Sequence, residues 1–300
     1  MDKLQIAIPT YNRNVLLEKL LSTIPSQLKV TVSDNGAFTN QELKEKFQNT
    51  KFISHNNVLD VFANWNVAAK NVNSTWVIIP SDDDIFYEEA FTIIENYIEK
   101  YPNADMLMFG HDLVNENDEK LKGWNINEEL EFSSPLGFDI FKFGVDARMP
   151  SVVFKTSLLK KLNYFDESYK LTAGDSDLIQ RALLNGNVVF IPKIISAYRV
   201  WDGALTSQKI ATKLWLDEID FWQDKISQLG IKAFKSKGLN PLNFSKIKDE
   251  VYGRNLIAGL SNKRKKGNIF DTMKFLLGNR FPWRANHKTK LQILKAVLIR

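Results

Sequence analysis

Trp76-Val77-Ile78-Ile79-Pro80-Ser81-Asp82-Asp83-Asp84 is the stretch on which the reading of this chain turns. Its apolar part is short, rich in β-branched residues and closed by a turn signal, which is the pattern of a strand buried in a parallel sheet. Three carboxylates at the C-terminal end of such a strand repel one another and lose hydration, so they make sense around a cation. Open α/β sheets place their ligand crevices at this edge. The triplet therefore predicts a metal that itself holds a phosphate. The competing reading is an acidic turn that caps a helix starting near Tyr87, because Asp is also a good N-cap.

Outward from this strand, the first half alternates strand-like and helix-like patterns, which predicts a mostly parallel sheet flanked by helices. Strands are expected at Leu4 to Pro9, Val30 to Ser33 and Phe52 to Ser54. Helices are expected over Val15 to Ile24, Gln41 to Phe47, Val61 to Asn71 and Tyr87 to Tyr101. Met106 to Gly110 opens a less regular half with a mixed sheet. It adds Val152 to Phe154, a helix over Asp175 to Leu184, and strands at Val188 to Ile191 and Ile195 to Val200. From Lys213 the pattern is helical and increasingly basic, so the expected division is residues 1–212 and 213–300.

The chain has 300 residues, enough for one large domain and an appendage. It has no cysteine, which excludes disulfides, thiolate metal sites and a cysteine nucleophile. His55, His111 and His287 lie far apart without metal-ligand spacing, leaving oxygen ligands and a hard ion, Mn²⁺ or Mg²⁺. No window of about eighteen uncharged apolar residues occurs, so no membrane span is expected. Met1 to Gln5 runs straight into a strand pattern without a signal-peptide signature, and a cytoplasmic location is the expectation. The net charge of +5 is uneven. Lys246 to Arg300 holds fourteen Lys and Arg against Asp249, Glu250 and Asp271, so the tail is +11 and the rest −6.

Two more turns should open on the edge that carries the aspartates: Ile8-Pro9-Thr10-Tyr11-Asn12-Arg13 and Val32-Ser33-Asp34-Asn35-Gly36. Thr10, Tyr11, Arg13 and Asp34 are suited to meet a base, a ribose and a diphosphate. The same residue types are also ordinary turn formers.

Together with Pro80-Ser81-Asp82-Asp83-Asp84, these two turns resemble glycosyltransferase family 2. The match covers roughly residues 3 to 205, and Asn64-Trp65-Asn66 also resembles a segment of that family. The resemblance implies a GT-A fold and a metal-dependent, inverting transfer of sugar from a nucleotide sugar, with a UDP-sugar the expected donor. It implies that Asp34 bonds the nucleobase, that Pro9 and Tyr11 shape its pocket with Arg13 nearby, that Asp82 faces the ribose or sugar with Asp83 supporting the site around the sugar, and that Asn66 and Ser81 also belong to the nucleotide-sugar site. Asp84 would ligate the metal.

An inverting transfer needs a base for the acceptor hydroxyl. Thr172-Ala173-Gly174-Asp175-Ser176-Asp177 resembles the family's acidic motif at a helix start, which makes Asp175 the base and Asp177 a supporting acid on the acceptor side. The family often has Glu where Gly174 stands, which puts the local hydrogen bonding in question. The bland reading is a helix cap, Asp175 at the N-cap and Asp177 in the first turn. Tyr198-Arg199-Val200-Trp201-Asp202-Gly203 resembles a motif that often carries His where Trp201 stands. An indole cannot ligate a metal, so Asp202 or water would complete the coordination, or Trp201 would pack on a sugar. Arg199 would answer the diphosphate charge. Trp124, Arg148 and Met149 are acceptor candidates, with ordinary core or loop roles as the alternative.

The basic tail sets Ile269, Phe270, Met273, Leu276 and Leu277 at helical spacing, then Leu291, Leu294 and Leu298. Basic amphipathic helices suit an anionic membrane surface, and a polyprenyl-diphosphate-linked or other glycan acceptor would fit such a location. Alternatively the helices pack on the catalytic domain and their charges are solvated. No nucleic-acid motif accompanies the charge. A sugar nucleotidyltransferase would show a Gly-rich basic loop where Pro9 to Arg13 stand, and no dinucleotide or P-loop motif occurs. A non-catalytic sugar-binding relative is the other alternative.

Overall fold

A computed structural model describes residues 3–36, 41–171, 173–200 and 212–298. The strands are β1 (Leu4–Thr10), β2 (Lys29–Asp34), β3 (Thr50–Ser54), β4 (Trp76–Ile78), β5 (Ile85–Phe86), β6 (Met106–Val114), β7 (Lys120–Trp124), β8 (Leu130–Phe132), β9 (Val152–Lys155) and β10 (Val188–Arg199). They form one sheet in the order β3-β2-β1-β4-β9-β6-β10-β5, with β7 added to β6 and β8 to β10. β3, β2, β1 and β4 run parallel. β9 is antiparallel to both its neighbours, so the second half is mixed. The two strands expected between Val188 and Val200 are one strand, β10, interrupted by register shifts around Ile194.

Strand alternation builds two cores. Leu4, Ile6 and Ile8 of β1 and Trp76 and Ile78 of β4 face one side, with Leu17, Leu20, Phe91 and Ile94. Those last four come from α1 (Asn14–Ser22) and α4 (Ala90–Lys100). Ala7 and Val77 face the other side, with Phe62 and Ala68 of α3 (Val61–Lys70) and Leu178 and Ile179 of α6 (Ala173–Asn185). Period-two residues thus go to opposite faces of one sheet, and both faces are covered by helices as in α/β proteins. Between these lie α2 (Gln41–Lys46) and α5 (Thr156–Lys161).

Four further helices follow: α7 (Lys213–Ser236), α8 (Phe244–Lys266), α9 (Ile269–Leu277) and α10 (His287–Leu298). Trp215, Ile219, Trp222 and Ile226 of α7 and Val251 and Leu256 of α8 join the same core as Ala7 and Phe154. The inner faces of the tail therefore do pack on the sheet-bearing part. Gly230 brings α7 and α8 together, because a Cβ there would stand 2.1 Å from Cζ of Phe244. Phe244 is itself held between Phe138 and Phe234, so its ring has little room to move aside.

Gly230→Ala is expected to overpack this contact and lower stability by about 1–3 kcal/mol, read as a lower urea midpoint at unchanged m-value. An unchanged midpoint would show that the two helices are not in this register.

Candidate active site

Because β1, β2 and β4 are parallel, their C-terminal ends lie on one edge, and Thr10 pairs in register with Asp34. The turns there are interlocked. Asn35 N–H donates to Thr10 O (3.0 Å), and Asn12 adopts the left-handed conformation (φ 56°). Its side chain lies so close to Gly36 that a Cβ there would meet Asn12 Oδ1 at 2.1 Å. Asn64 ties the two strand ends from α3, donating to Thr10 O (3.2 Å) and accepting from Ser33 Oγ (2.7 Å). Gly36 N–H donates to Asp34 Oδ1 (3.0 Å), so this buried carboxylate is oriented at the edge. Pro9 lies within β1, and Tyr11 stands exposed beyond it.

Asp82, Asp83 and Asp84 are all buried in the connection between β4 and β5. They do not cap a helix: the chain enters β5 first, and α4 starts only at Ala90. Asp82 accepts from Thr10 Oγ1 (2.7 Å), and Arg13 Nη1 lies 3.0 Å from Asp82 Oδ1 and 3.1 Å from Asp83 Oδ2. Arg199 donates to Asp83 O (3.2 Å) and Asn115 O (3.1 Å) and pairs with Asp118. It braces the backbone of the aspartate turn. Asp84 Oδ2 accepts from Ser81 N–H (2.7 Å), while Asp84 Oδ1 is buried without a hydrogen-bond partner.

The protein's own cations do not neutralise this triplet. Burial pushes the Asp82 carboxyl up to about 6, Arg13 opposes the rise and Asp83 adds to it. Burial also raises Asp84 well above the carboxylate range, with the Asp83 charge next and Arg199 opposing. Groups this costly to ionise in isolation are what a hard cation stabilises.

Asp175 lies in the first turn of α6, and Asp175 Oδ1 accepts from Ser176 N–H (2.6 Å). Burial raises its carboxyl and Arg148 opposes the rise. Arg148 stacks its guanidinium 5.3 Å from the Tyr198 ring centre. The Tyr198 hydroxyl is pushed up to about 12, first by burial, with the charges of Asp84, Asp175 and Asp83 adding and Arg148 opposing. Tyr198 thus feels the charges of Asp83 and Asp84 as well as that of Asp175. In the sequence it carries no signal beyond its place before Arg199. His111 was also missed, because a lone histidine carries no spacing signal. It is buried beside Trp124 (ring centres 6.4 Å), and burial first, then Arg148, lowers it to about 4. Trp124 also packs on Phe141 and Phe190.

Three expected contacts lie elsewhere. Asn66 binds Phe165 N–H and O and Glu167 with its amide. Two residues along a helix point nearly opposite ways, so Asn64 faces the strand ends and Asn66 faces away. Met149 is buried in the core. Asp177 is fully buried, bound by Arg181 Nε (2.6 Å), Tyr169 OH (3.0 Å) and Lys225 Nζ (3.1 Å) of α7. It joins α6 to α7 instead of meeting an acceptor. Trp201 and Asp202 lie outside the described residues.

Gly174 lies against Phe62, where a Cβ would come within 2.5 Å of the ring. A carboxylate nevertheless serves this helix start, and it comes from α7. Glu218 accepts from the N–H groups of Lys170 (2.8 Å), Leu171 (3.1 Å) and Ala173 (3.2 Å). The Ala173 N–H is a free donor at the helix terminus, and the carboxylate complements the positive end of the helix dipole. Glu218→Ala should cost about 2 kcal/mol in urea unfolding, Glu218→Gln less, since one acceptor oxygen remains. Equal stability of all three proteins would contradict the cap.

The sequence and fold were compared with known proteins. The family model for glycosyl transferase family 2 matches residues 5–159. The GalNAc(5)-diNAcBac-PP-undecaprenol beta-1,3-glucosyltransferase of Campylobacter jejuni is 26% identical over 256 residues, covering 79% of this chain and 78% of that protein. S. aureus TarS 1-349 in complex with UDP-GlcNAc superposes with a TM-score of 0.59 at 17% identity, covering 98% of this chain and 89% of that one. The mannosyltransferase PcManGT of Pyrobaculum calidifontis, in complex with GDP-Man and Mn²⁺, does so with 0.55 at 14%, covering 99% and 86%. The chain belongs to glycosyltransferase family 2 and is a glycosyltransferase.

Proposed function

We infer that the enzyme moves a sugar, with inversion, from a nucleoside-diphosphate sugar to a hydroxyl of a glycan or polyprenyl-diphosphate-linked acceptor in bacterial surface polysaccharide synthesis. UDP is the nucleotide this reading favours, in keeping with the UDP-GlcNAc of the TarS complex. The lipid-linked acceptor follows the name of the Campylobacter relative. Such an acceptor places the enzyme on the cytoplasmic face of the cell membrane.

One observation carries the reading: the buried, unpartnered Asp84 Oδ1 stands in the same electrostatic neighbourhood as Asp175, with Tyr198 feeling both. That oxygen fits Mn²⁺ or Mg²⁺. Among the described residues no cluster of three or more His, Cys, Asp or Glu forms a metal site. A cation held by one or two carboxylates, with the donor's phosphates and water completing the shell, is what such a donor set suits. When bound, it offsets charge on the diphosphate leaving group.

The chain's own residues do the rest. Asp34 orients the base at the end of β2, and Tyr11 offers an exposed ring beside it. Thr10 and Arg13 fix the Asp82 carboxylate, which faces ribose or sugar, with Asp83 and the Ser81 backbone holding the turn. Asp175 takes the proton from the attacking hydroxyl. Burial raises its affinity for a proton above that of an exposed aspartate, which suits a base, and Arg148 opposes the rise. Arg148 and Trp124 border the acceptor side.

Asp84→Ala should abolish metal-dependent donor binding in calorimetry. Asp175→Asn should leave donor affinity within about twofold and slow transfer by roughly a hundredfold to ten-thousandfold. Normal turnover of Asp175→Asn would refute its role as base.

A further inference from the structure

The tail's inner faces are accounted for by the core, but its outer faces are not. On α9, Phe270, Met273 and Leu277 recur at i, i+3 and i+7 and are all exposed, Phe270 by 77% and Leu277 by 81%. On α10, Leu291, Leu294 and Leu298 repeat the same spacing, also exposed. Trp283, in the connection between these helices, is 75% exposed. A soluble chain scatters exposed apolar residues singly. Seven of them in two stripes and the intervening connection mark a surface that meets something apolar.

The charges around the stripes say what. Lys265, Lys266, Lys274, Arg284, Lys288 and Lys295 are exposed, and none makes a salt bridge among the described residues. From residue 251 to the chain end the only acid is Asp271. Lys213, which pairs with Asp217, and Lys263, Lys266 and Lys274 also line a cleft of about 490 Å³ beside α9, where Asp271 is the one acid on the wall among the described residues. A second copy of this chain would have to set these cations against their own kind, as a symmetric interface brings the same patch to itself. An anionic bilayer surface satisfies both features, with apolar side chains entering the headgroup boundary and lysines meeting lipid phosphates. No helix among the described residues is long and apolar enough to cross a membrane, so the contact is one of lying on the surface.

We propose that the outer face of α9, the Trp283 connection and α10 is a docking surface for an anionic membrane. It stands on surface features far in sequence from the catalytic residues, and it does not depend on the choice of donor or acceptor.

The test is co-sedimentation of the full chain with vesicles of phosphatidylcholine, with and without phosphatidylglycerol, at low and high salt. The expected result is binding only to the phosphatidylglycerol vesicles, weakened by salt. Phe270→Ser with Leu277→Ser should weaken it at least tenfold. Lys265→Ser and Lys288→Ser should each weaken it roughly fivefold, with nucleotide-sugar hydrolysis unchanged in every variant. No sedimentation with either vesicle, or equal sedimentation of the variants, would overturn the proposal. So would a stable dimer in light scattering that Phe270→Ser with Leu277→Ser converts to monomer, because a second copy would then cover the face. A protein that binds vesicles but turns over no nucleotide sugar would refute the donor reading and leave this one standing.

Discussion

Three carboxylates buried side by side at one edge of a sheet are the constraint around which this structure is arranged. Burial makes the ionisation of Asp82 and Asp84 costly, and the charge of Asp83 adds to the cost for both. Arg13 and Arg199 reduce that cost without cancelling it, since Asp82 and Asp84 both remain well above the ordinary carboxylate range. The fold keeps them there because β4 is a central strand whose alternating residues are locked into both cores. The turn after it has nowhere else to go. Thr10 and Arg13 take both oxygens of Asp82, Arg13 also reaches Asp83, and the Ser81 N–H takes one oxygen of Asp84, which leaves Asp84 Oδ1 buried without a partner. That buried, unpartnered oxygen is the feature on which the proposed cation site rests.

The start of α6, which carries Asp175, is held by α7. Its residues Glu218 and Lys225, seven apart and so on one helix face, reach across to the start of α6 and to Asp177. The apolar residues between and beside them enter the core. Asp175 thus sits on a helix whose N-terminus is secured by the tail. The tail supports the helix that carries Asp175 through its inner surface, while its outer surface of lysines and exposed apolar side chains faces elsewhere.

Much of this was legible in the residues. Short apolar runs closed by turn signals point to β1, β2 and β4, and the turn chemistry puts Thr10, Asp34 and the aspartates on one edge. What escaped had physical causes. Asn64 and Asn66 are the same residue type two positions apart, and only the helix phase decides which one faces the strand ends. Asp177 looked like a second acid because its partner Lys225 lies 48 residues away. Tyr198 and His111 come to the site on β10 and β6, whose pairing depends on the mixed half of the sheet. Gly174 read as a gap in a motif, but its explanation is Phe62 above it and Glu218 arriving from another helix.

The most direct test of the central claim is the thermal unfolding of the protein with a panel of nucleotide sugars, each in Mn²⁺, Mg²⁺ or EDTA, with released nucleoside diphosphate assayed in parallel. The account predicts that one nucleotide class raises the midpoint only when metal is present, with slow release of its diphosphate. A flat midpoint and no release with every nucleotide, with and without metal, would contradict it.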